Sequence, residues 1–152
     1  MFKGHSGAIR IADEIFLYKS FISKEEAKDL HNTCLNYPNN APAEEAEGIL
    51  LKIQDLVKDT HTVTKTLSFM RMFPGDEMDA HTDAYLEETE YGVLLYLNDC
   101  FNGGEIYYPD FNLEYKPEAG DLIIHHATIK HGVRKVIEGV RYSYPTFLIK
   151  NT

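Results

Sequence analysis

Beyond about Thr62 the chain becomes a succession of short runs rich in β-branched and aromatic residues, each closed by a break carrying glycine, proline, asparagine or aspartate. The runs cover residues 63–73, 91–97, 105–108, 112–115, 122–125, 133–136 and 140–149. The breaks are Pro74-Gly75, Asn102-Gly103-Gly104, Pro109-Asp110, Glu118-Ala119-Gly120-Asp121 and Glu138-Gly139. Branched and aromatic side chains fit a pleated, half-buried surface, and the break residues supply the dihedrals of tight turns. Many short strands punctuated in this way predict a sandwich or barrel.

The first part of the chain reads differently. Residues 9–18 predict a leading strand. Ser23-Lys24-Glu25-Glu26 has the form of a capping box, in which Ser23 accepts from the N3 amide and Glu26 reaches back. The helix it opens runs to about residue 35, with Ala27, Leu30 and Cys34 on one face. Pro38 marks its end, and Pro42 suits a first helical turn. Ala46, Ile49, Leu50, Ile53 and Val57 recur at helical spacing, so a second amphipathic helix ends near Lys58. Two helices in front of many strands can cover one sheet, which gives an α+β domain on a jelly-roll core. At 152 residues the whole of 1–152 is expected to form one domain. A chain of this size buries roughly 70% of its unfolded surface.

Charge and cysteine content narrow the function. The net charge is −9, and no run of Lys or Arg offsets it, so nucleic acid is a disfavoured partner. No window holds eighteen apolar residues, so no membrane span is expected. Residues 1–10 lack the apolar core and cleavage site of a secretory signal, and a cytoplasmic location is the expectation. Cys34 and Cys100 are far apart and form no CxxC pair, which argues against a thiolate zinc site or a disulfide framework.

His81-Thr82-Asp83 is the first feature that carries chemistry. Residues two apart in an extended segment share a face, so His81 and Asp83 can bind one ion together. A third ligand from a distant strand completes a facial set of two histidines and one carboxylate, which leaves three octahedral positions open and suits non-haem iron(II). His131, in His131-Gly132-Val133 just before a strand, is the best third ligand.

The order of the surrounding motifs is more specific than any one of them. Phe73-Pro74-Gly75, His81-Thr82-Asp83, Leu95-Tyr96-Leu97-Asn98-Asp99, Gly103-Gly104-Glu105 with Pro109, Pro117-Glu118-Ala119-Gly120-Asp121, His131-Gly132-Val133 and Arg141-Tyr142-Ser143 follow one another. Over roughly residues 69–149 this resembles the prolyl-4-hydroxylase-like branch of the 2-oxoglutarate/Fe(II)-dependent dioxygenases. The resemblance implies a double-stranded β-helix fold. It also implies iron(II), 2-oxoglutarate and O2 as cofactor and cosubstrates, with ascorbate as an optional accessory. It places Arg141 where the family grips the distal carboxylate of 2-oxoglutarate, a task for which a guanidinium fork is suited. Ser143 shares the face of Arg141, and Tyr96 matches a tyrosine that donates to the same carboxylate in related hydroxylases. One departure stands out. Many prolyl hydroxylases have a tyrosine three residues before the glycine matched here to Gly75, and this chain has Met72, with Phe73 beside it. Neither can donate a hydrogen bond.

The remaining candidates are secondary. His125 and His126 are neighbours on a predicted strand and face opposite ways, so one of them can line a pocket, while His131 has the context of a ligand. His5, His31 and His61 fall outside the pattern and are expected on the surface or on a helix. Glu87-Glu88-Thr89-Glu90 reads as a solvated loop, or as a lid over the site. Gly103-Gly104 either forms a turn or lets backbone approach closely. Three functions compete: hydroxylation of a prolyl or other residue in a protein or peptide, hydroxylation of a small molecule such as a free amino acid, and a non-catalytic metal-binding jelly roll. Demethylation of alkylated bases ranks below them, because those enzymes carry a second arginine after the first and Arg141 is the last arginine here.

Overall fold

The computed structural model describes residues 7–35, 47–64, 69–83 and 88–152. In chain order it comprises strands β1 (Ile9–Ala12) and β2 (Ile15–Tyr18), helices α1 (Lys24–Cys34) and α2 (Glu47–Val57), then β3 (His61–Val63), β4 (Met70–Met72), β5 (Met78–His81), β6 (Thr89–Tyr96), β7 (Asn102–Gly103), β8 (Ile106–Tyr108), β9 (Leu113–Tyr115), β10 (Leu122–His126), β11 (His131–Val133), β12 (Val136–Glu138) and β13 (Arg141–Lys150). The large sheet has the order β1-β2-β10-β6-β13-β3, with β4 pairing to the first residues of β13. A four-stranded sheet has the order β5-β11-β8-β9, and β12 pairs with β7. The architecture is a jelly-roll sandwich fronted by two helices.

Side-chain alternation divides the large sheet into two faces. Tyr91, Val93 and Leu95 of β6 and Tyr142, Tyr144 and Leu148 of β13 point outward. There they pack with Ala27, Leu30 and Cys34 of α1 and Ile49, Ile53 and Val57 of α2. On the other face Ile15, Leu17, Ile123 and Tyr96 meet Ile106 and Tyr108 of the small sheet. The helices therefore cover one side of the large sheet and leave the other to form the sandwich interior.

The capping box closes as expected: the Glu26 amide donates to Ser23 Oγ at 3.0 Å, and the Ser23 amide donates to Glu26 Oε1 at 3.2 Å. Two side chains then position the strands of the interior. Asp121 accepts from Lys19 at 2.9 Å, from Tyr115 at 2.6 Å and from the Glu118 amide at 2.9 Å, fixing the turn that leads into β10. Asn98 accepts from the Tyr142 amide at 2.9 Å and donates to the Val140 carbonyl at 2.8 Å, so it clasps the backbone on both sides of Arg141.

Several sequence expectations need correction. The leading strand is a hairpin, broken at Glu14 by a positive φ of 61°. The run 133–136 splits into β11 and β12, each bonded to a different sheet. Strand β5 holds no β-branched or aromatic residue and owes its conformation to pairing with β11, where tertiary context overrides propensity. His61 is buried rather than superficial, with Nε2 3.0 Å from Glu90 Oε1. Thr89 and Glu90 belong to β6 and not to a loop. His31 lies on α1, in keeping with the expected helix, and is half-buried against the Tyr142 ring. His5, Pro38, Pro42, Ala46 and Glu87 lie outside the described residues. Cys34 is buried and Cys100 exposed. Among the described residues no helix is long and apolar enough to cross a membrane.

Because α2 is held by a stripe of which Ile53 is fully buried while Leu51 is exposed, Ile53→Ala is expected to cost about 2–5 kcal/mol. Leu51→Ala should cost no more than about 0.5 kcal/mol. Denaturant unfolding of the two variants distinguishes them, and equal losses would contradict this packing.

Candidate active site

The two histidines of the motif set are neighbours across a ladder, since His131 on β11 is the register partner of His81 on β5. Their rings stand 4.6 Å apart, centroid to centroid. Asp83 lies just beyond the end of β5, so strand parity does not reach it. Its backbone amide donates to the Ala127 carbonyl at 2.9 Å, and this bond brings the carboxylate back toward the histidines. His81 Nε2 is 3.9 Å from Asp83 Oδ1, and His131 Nε2 is 3.6 Å from Asp83 Oδ2. One ligand atom from each of the three residues lies within 4.8 Å of the others. Ligands about 2.0–2.2 Å from a shared ion stand roughly 3 Å apart when adjacent, so only a small closure separates this cluster from coordination.

Proton placement suits a cation. His81 Nδ1 is 2.8 Å from the Asp79 carbonyl, and His131 Nδ1 is 3.0 Å from the Ile129 carbonyl. A carbonyl only accepts, so each Nδ1 carries the hydrogen and each Nε2 turns a lone pair toward Asp83. Such outer bonds fix the tautomer of metal-binding histidines. Burial, reinforced by His125 nearby, pushes His131 down to about 4, which keeps its ring neutral at neutral pH. Burial alone would raise the Asp83 carboxyl. The hydrogen bond from His125 and the attraction of the surrounding histidines outweigh it and hold the group below the usual carboxylate range. Two imidazoles and one carboxylate, with no thiolate, form a donor set that fits iron(II) and leaves open positions.

The second part of the site is a buried cation. Arg141 is 1% exposed at the start of β13. Its Nε donates to the Gly104 carbonyl at 3.0 Å. The rest of its fork makes only long contacts: to Ser143 Oγ at 3.4 Å, Tyr96 Oη at 3.5 Å and Met72 Sδ at 3.6 Å. Among the described residues no carboxylate forms an ion pair with it. Tyr96 and Ser143 are register partners on β6 and β13, which places both hydroxyls beside the guanidinium. Gly104 completes the cradle. Its φ is +71°, and a Cβ there would stand 3.1 Å from Arg141 Cδ. A buried guanidinium with a loosely filled fork and no counter-ion fits a carboxylate supplied by a ligand.

Both parts open onto one cavity of about 380 Å³, lined by His81, Asp83, His131 and Arg141 and walled by apolar side chains including Met70, Met78 and Phe147. Met72 stands where a hydroxyl donor was missing from the motif, and it touches Arg141 through sulfur. Phe73 is half-exposed. Of the neighbours His125 and His126 it is His125 that faces inward: it is buried, with Nε2 3.4 Å from Asp83 Oδ2. Its parity with Ile123, an interior residue, is the signal that identifies it.

The profile of the 2OG-Fe(II) oxygenase superfamily matches residues 67–149. Among solved structures, the chain superimposes on a viral collagen prolyl hydroxylase from Paramecium Bursaria Chlorella virus-1 with a TM-score of 0.76 and 17% identity, covering 93% of this chain and 99% of that one. A Pseudomonas putida prolyl-4-hydroxylase gives a TM-score of 0.71 at 16% identity, over 91% of this chain and 94% of the other. A prolyl hydroxylase from Trichoplax adhaerens, solved with a peptide fragment of the hypoxia inducible factor oxygen degradation domain, gives 0.74 at 12% identity, over 91% and 84%. At these identities the likeness is one of fold. No curated protein matches the sequence.

Gly92 tests how tightly the cluster is packed. It is the register partner of His125, and a Cβ at this position would stand 2.7 Å from Asp83 Oδ2 and 2.9 Å from His125 Nε2. Gly92→Ala is expected to fold yet to bind a divalent ion at least about tenfold more weakly, in line with the effect of disturbing groups that orient metal ligands. Calorimetric titration with Mn(II) checks this, and wild-type affinity would contradict it.

Proposed function

The chain belongs to the 2OG-Fe(II) oxygenase superfamily, and from that premise we propose that it is a hydroxylase of a prolyl or other residue in a protein or peptide. In this reading His81, Asp83 and His131 hold the iron, and Arg141, Tyr96 and Ser143 hold 2-oxoglutarate. The observation that carries it is Arg141: a buried guanidinium with no acidic partner among the described residues, facing the same cavity as three convergent side chains that could hold a metal ion. Iron(II) with 2-oxoglutarate supplies the activation of O2 that inserts one oxygen atom into a substrate C–H bond, the keto acid leaving as succinate and carbon dioxide.

The chain's own contribution is placement. Two locked tautomers present nitrogen lone pairs, and the Asp83 carboxylate offsets part of the cation's charge. The Arg141 fork pairs the distal carboxylate of the keto acid while the hydroxyls of Tyr96 and Ser143 donate beside it. The apolar walls keep water from the reacting centre and strengthen each electrostatic contact within it. A peptide substrate is favoured because the similar solved structures include prolyl hydroxylases, one of them with a bound peptide. The exposed free thiol of Cys100 suits the reducing cytosol.

Iron-dependent succinate formation across a panel of proline-bearing peptides and free amino acids tests the substrate class. Stimulation by peptides supports the proposal, and stimulation by free amino acids alone would replace it. The anchor is tested by titrating 2-oxoglutarate into the iron-loaded, oxygen-free protein. A charged hydrogen bond of this kind is worth about 1.5–3 kcal/mol. Arg141→Ala should therefore weaken binding on the order of 10- to 150-fold. Arg141→Lys should recover part of the loss, since it keeps the charge without the fork. Both should retain iron, whereas Asp83→Ala should lose it. Equal 2-oxoglutarate affinity in all three Arg141 forms would remove the anchor.

A further inference from the structure

His125 is neither a proposed metal ligand nor a proposed 2-oxoglutarate contact, yet its surroundings are specific. It lies on β10, buried on the same face as Ile123. Its ring lies against that of His131, with centroids 4.1 Å apart and planes inclined by 37°. Nε2 is 3.4 Å from Asp83 Oδ2, and Nδ1 is 2.9 Å from Tyr108 Oη. The facing strand contributes only Gly92 at this point, and any side chain there would intrude on both His125 and Asp83. His125 nevertheless stands outside the group whose ligand atoms converge, which among the described residues is His81, Asp83 and His131.

The protons of this arrangement follow from its partners. A carboxylate only accepts, so the nitrogen facing Asp83 must carry hydrogen. A neutral ring with its proton on Nε2 has a lone pair on Nδ1, and that lone pair requires a donor. Tyr108 is buried with its Oη 2.9 Å from Nδ1, so its O–H is the donor at hand. The chain of hydrogen bonds therefore runs in one direction, from Tyr108 to His125 to Asp83.

We propose that His125 is a positioning residue for the metal centre: its Nε2–H holds the Asp83 carboxylate, its ring braces His131, and Tyr108 sets its tautomer. Two of the three ligands are thereby oriented by one buried side chain, and Gly92 leaves the space that this side chain needs. The inference rests on the assignment of His81, Asp83 and His131 as the metal ligands, and its test separates the two.

In the metal-free protein, long-range 1H–15N correlations should show His125 protonated at Nε2 and bare at Nδ1. The opposite tautomer would overturn the proposal. Co(II), titrated without oxygen, is the probe of affinity. His125→Phe, which keeps a ring but no donor, should bind on the order of 10- to 100-fold more weakly. His125→Gln, whose amide can place an N–H near the position of Nε2, should recover most of that loss. Tyr108→Phe removes a single oxygen and should weaken binding in the same direction by less. If His125→Phe binds as the wild type does, or if folded His125→Gln is no better than His125→Phe, His125 does not orient Asp83 by hydrogen bonding. If the wild type takes up no Co(II), or His81→Ala binds it equally well, the ligand assignment fails and this inference fails with it.

Discussion

Moving a charged group out of water costs several kcal/mol even after the protein relaxes, unless an opposite charge and hydrogen bonds receive it. Arg141 meets the second condition in part and the first not at all among the described residues. Yet much of the surrounding structure fixes it in place. Asn98 clasps the backbone on either side, β4 and β6 pair with the strand that carries it, and the missing side chain of Gly104 leaves room for its stem. A cation held in this way suits the anion that the proposed function brings from outside.

In the proposed reading a metal ion on His81, Asp83 and His131 offers that anion a second attachment. His81 and His131 belong to the small sheet, and Arg141 belongs to the large one. A ligand that met both would span the sandwich. The distance it spans is set by the packing between the sheets, where Ile106 and Tyr108 meet Ile123, Leu17 and Tyr96. Tyr96 and Tyr108 each belong to this core and also touch a site residue, Arg141 and His125 respectively. Stability of the interior and geometry of the site thus rest on the same side chains. The 2-oxoglutarate- and iron-dependent chemistry of the superfamily requires a metal and a keto acid held in fixed relation, and this sandwich supplies the frame.

Local physics made some of this legible in the sequence. The capping box of α1 and the apolar spacing of α2 depend on residues a few positions apart, and both helices lie where that spacing places them. The metal cluster was legible only through motif order. Parity reaches His81 but not Asp83, which a backbone bond to Ala127 returns to the site, and only the β5–β11 register brings His131 alongside. The strand β5 was legible only as an extended segment around His81-Thr82-Asp83, because Met78-Asp79-Ala80-His81 holds no β-branched or aromatic residue and pairing with β11 makes it a strand. The burial of His61 was missed because its partner Glu90 lies on a different strand. The tie between Gly104 and Arg141 was equally hidden, since a glycine that cradles a distant side chain reads the same as one that turns the chain.

In the proposed function one carboxylic acid bridges the ion and Arg141. A crystal structure of the protein with Mn(II) and 2-oxoglutarate, grown without oxygen, is the test. It should show a single ion on His81, Asp83 and His131, with the keto acid on that ion at one end and its distal carboxylate on the Arg141 fork at the other. An ion held by other residues, or a keto acid whose distal carboxylate lies away from Arg141, would contradict it.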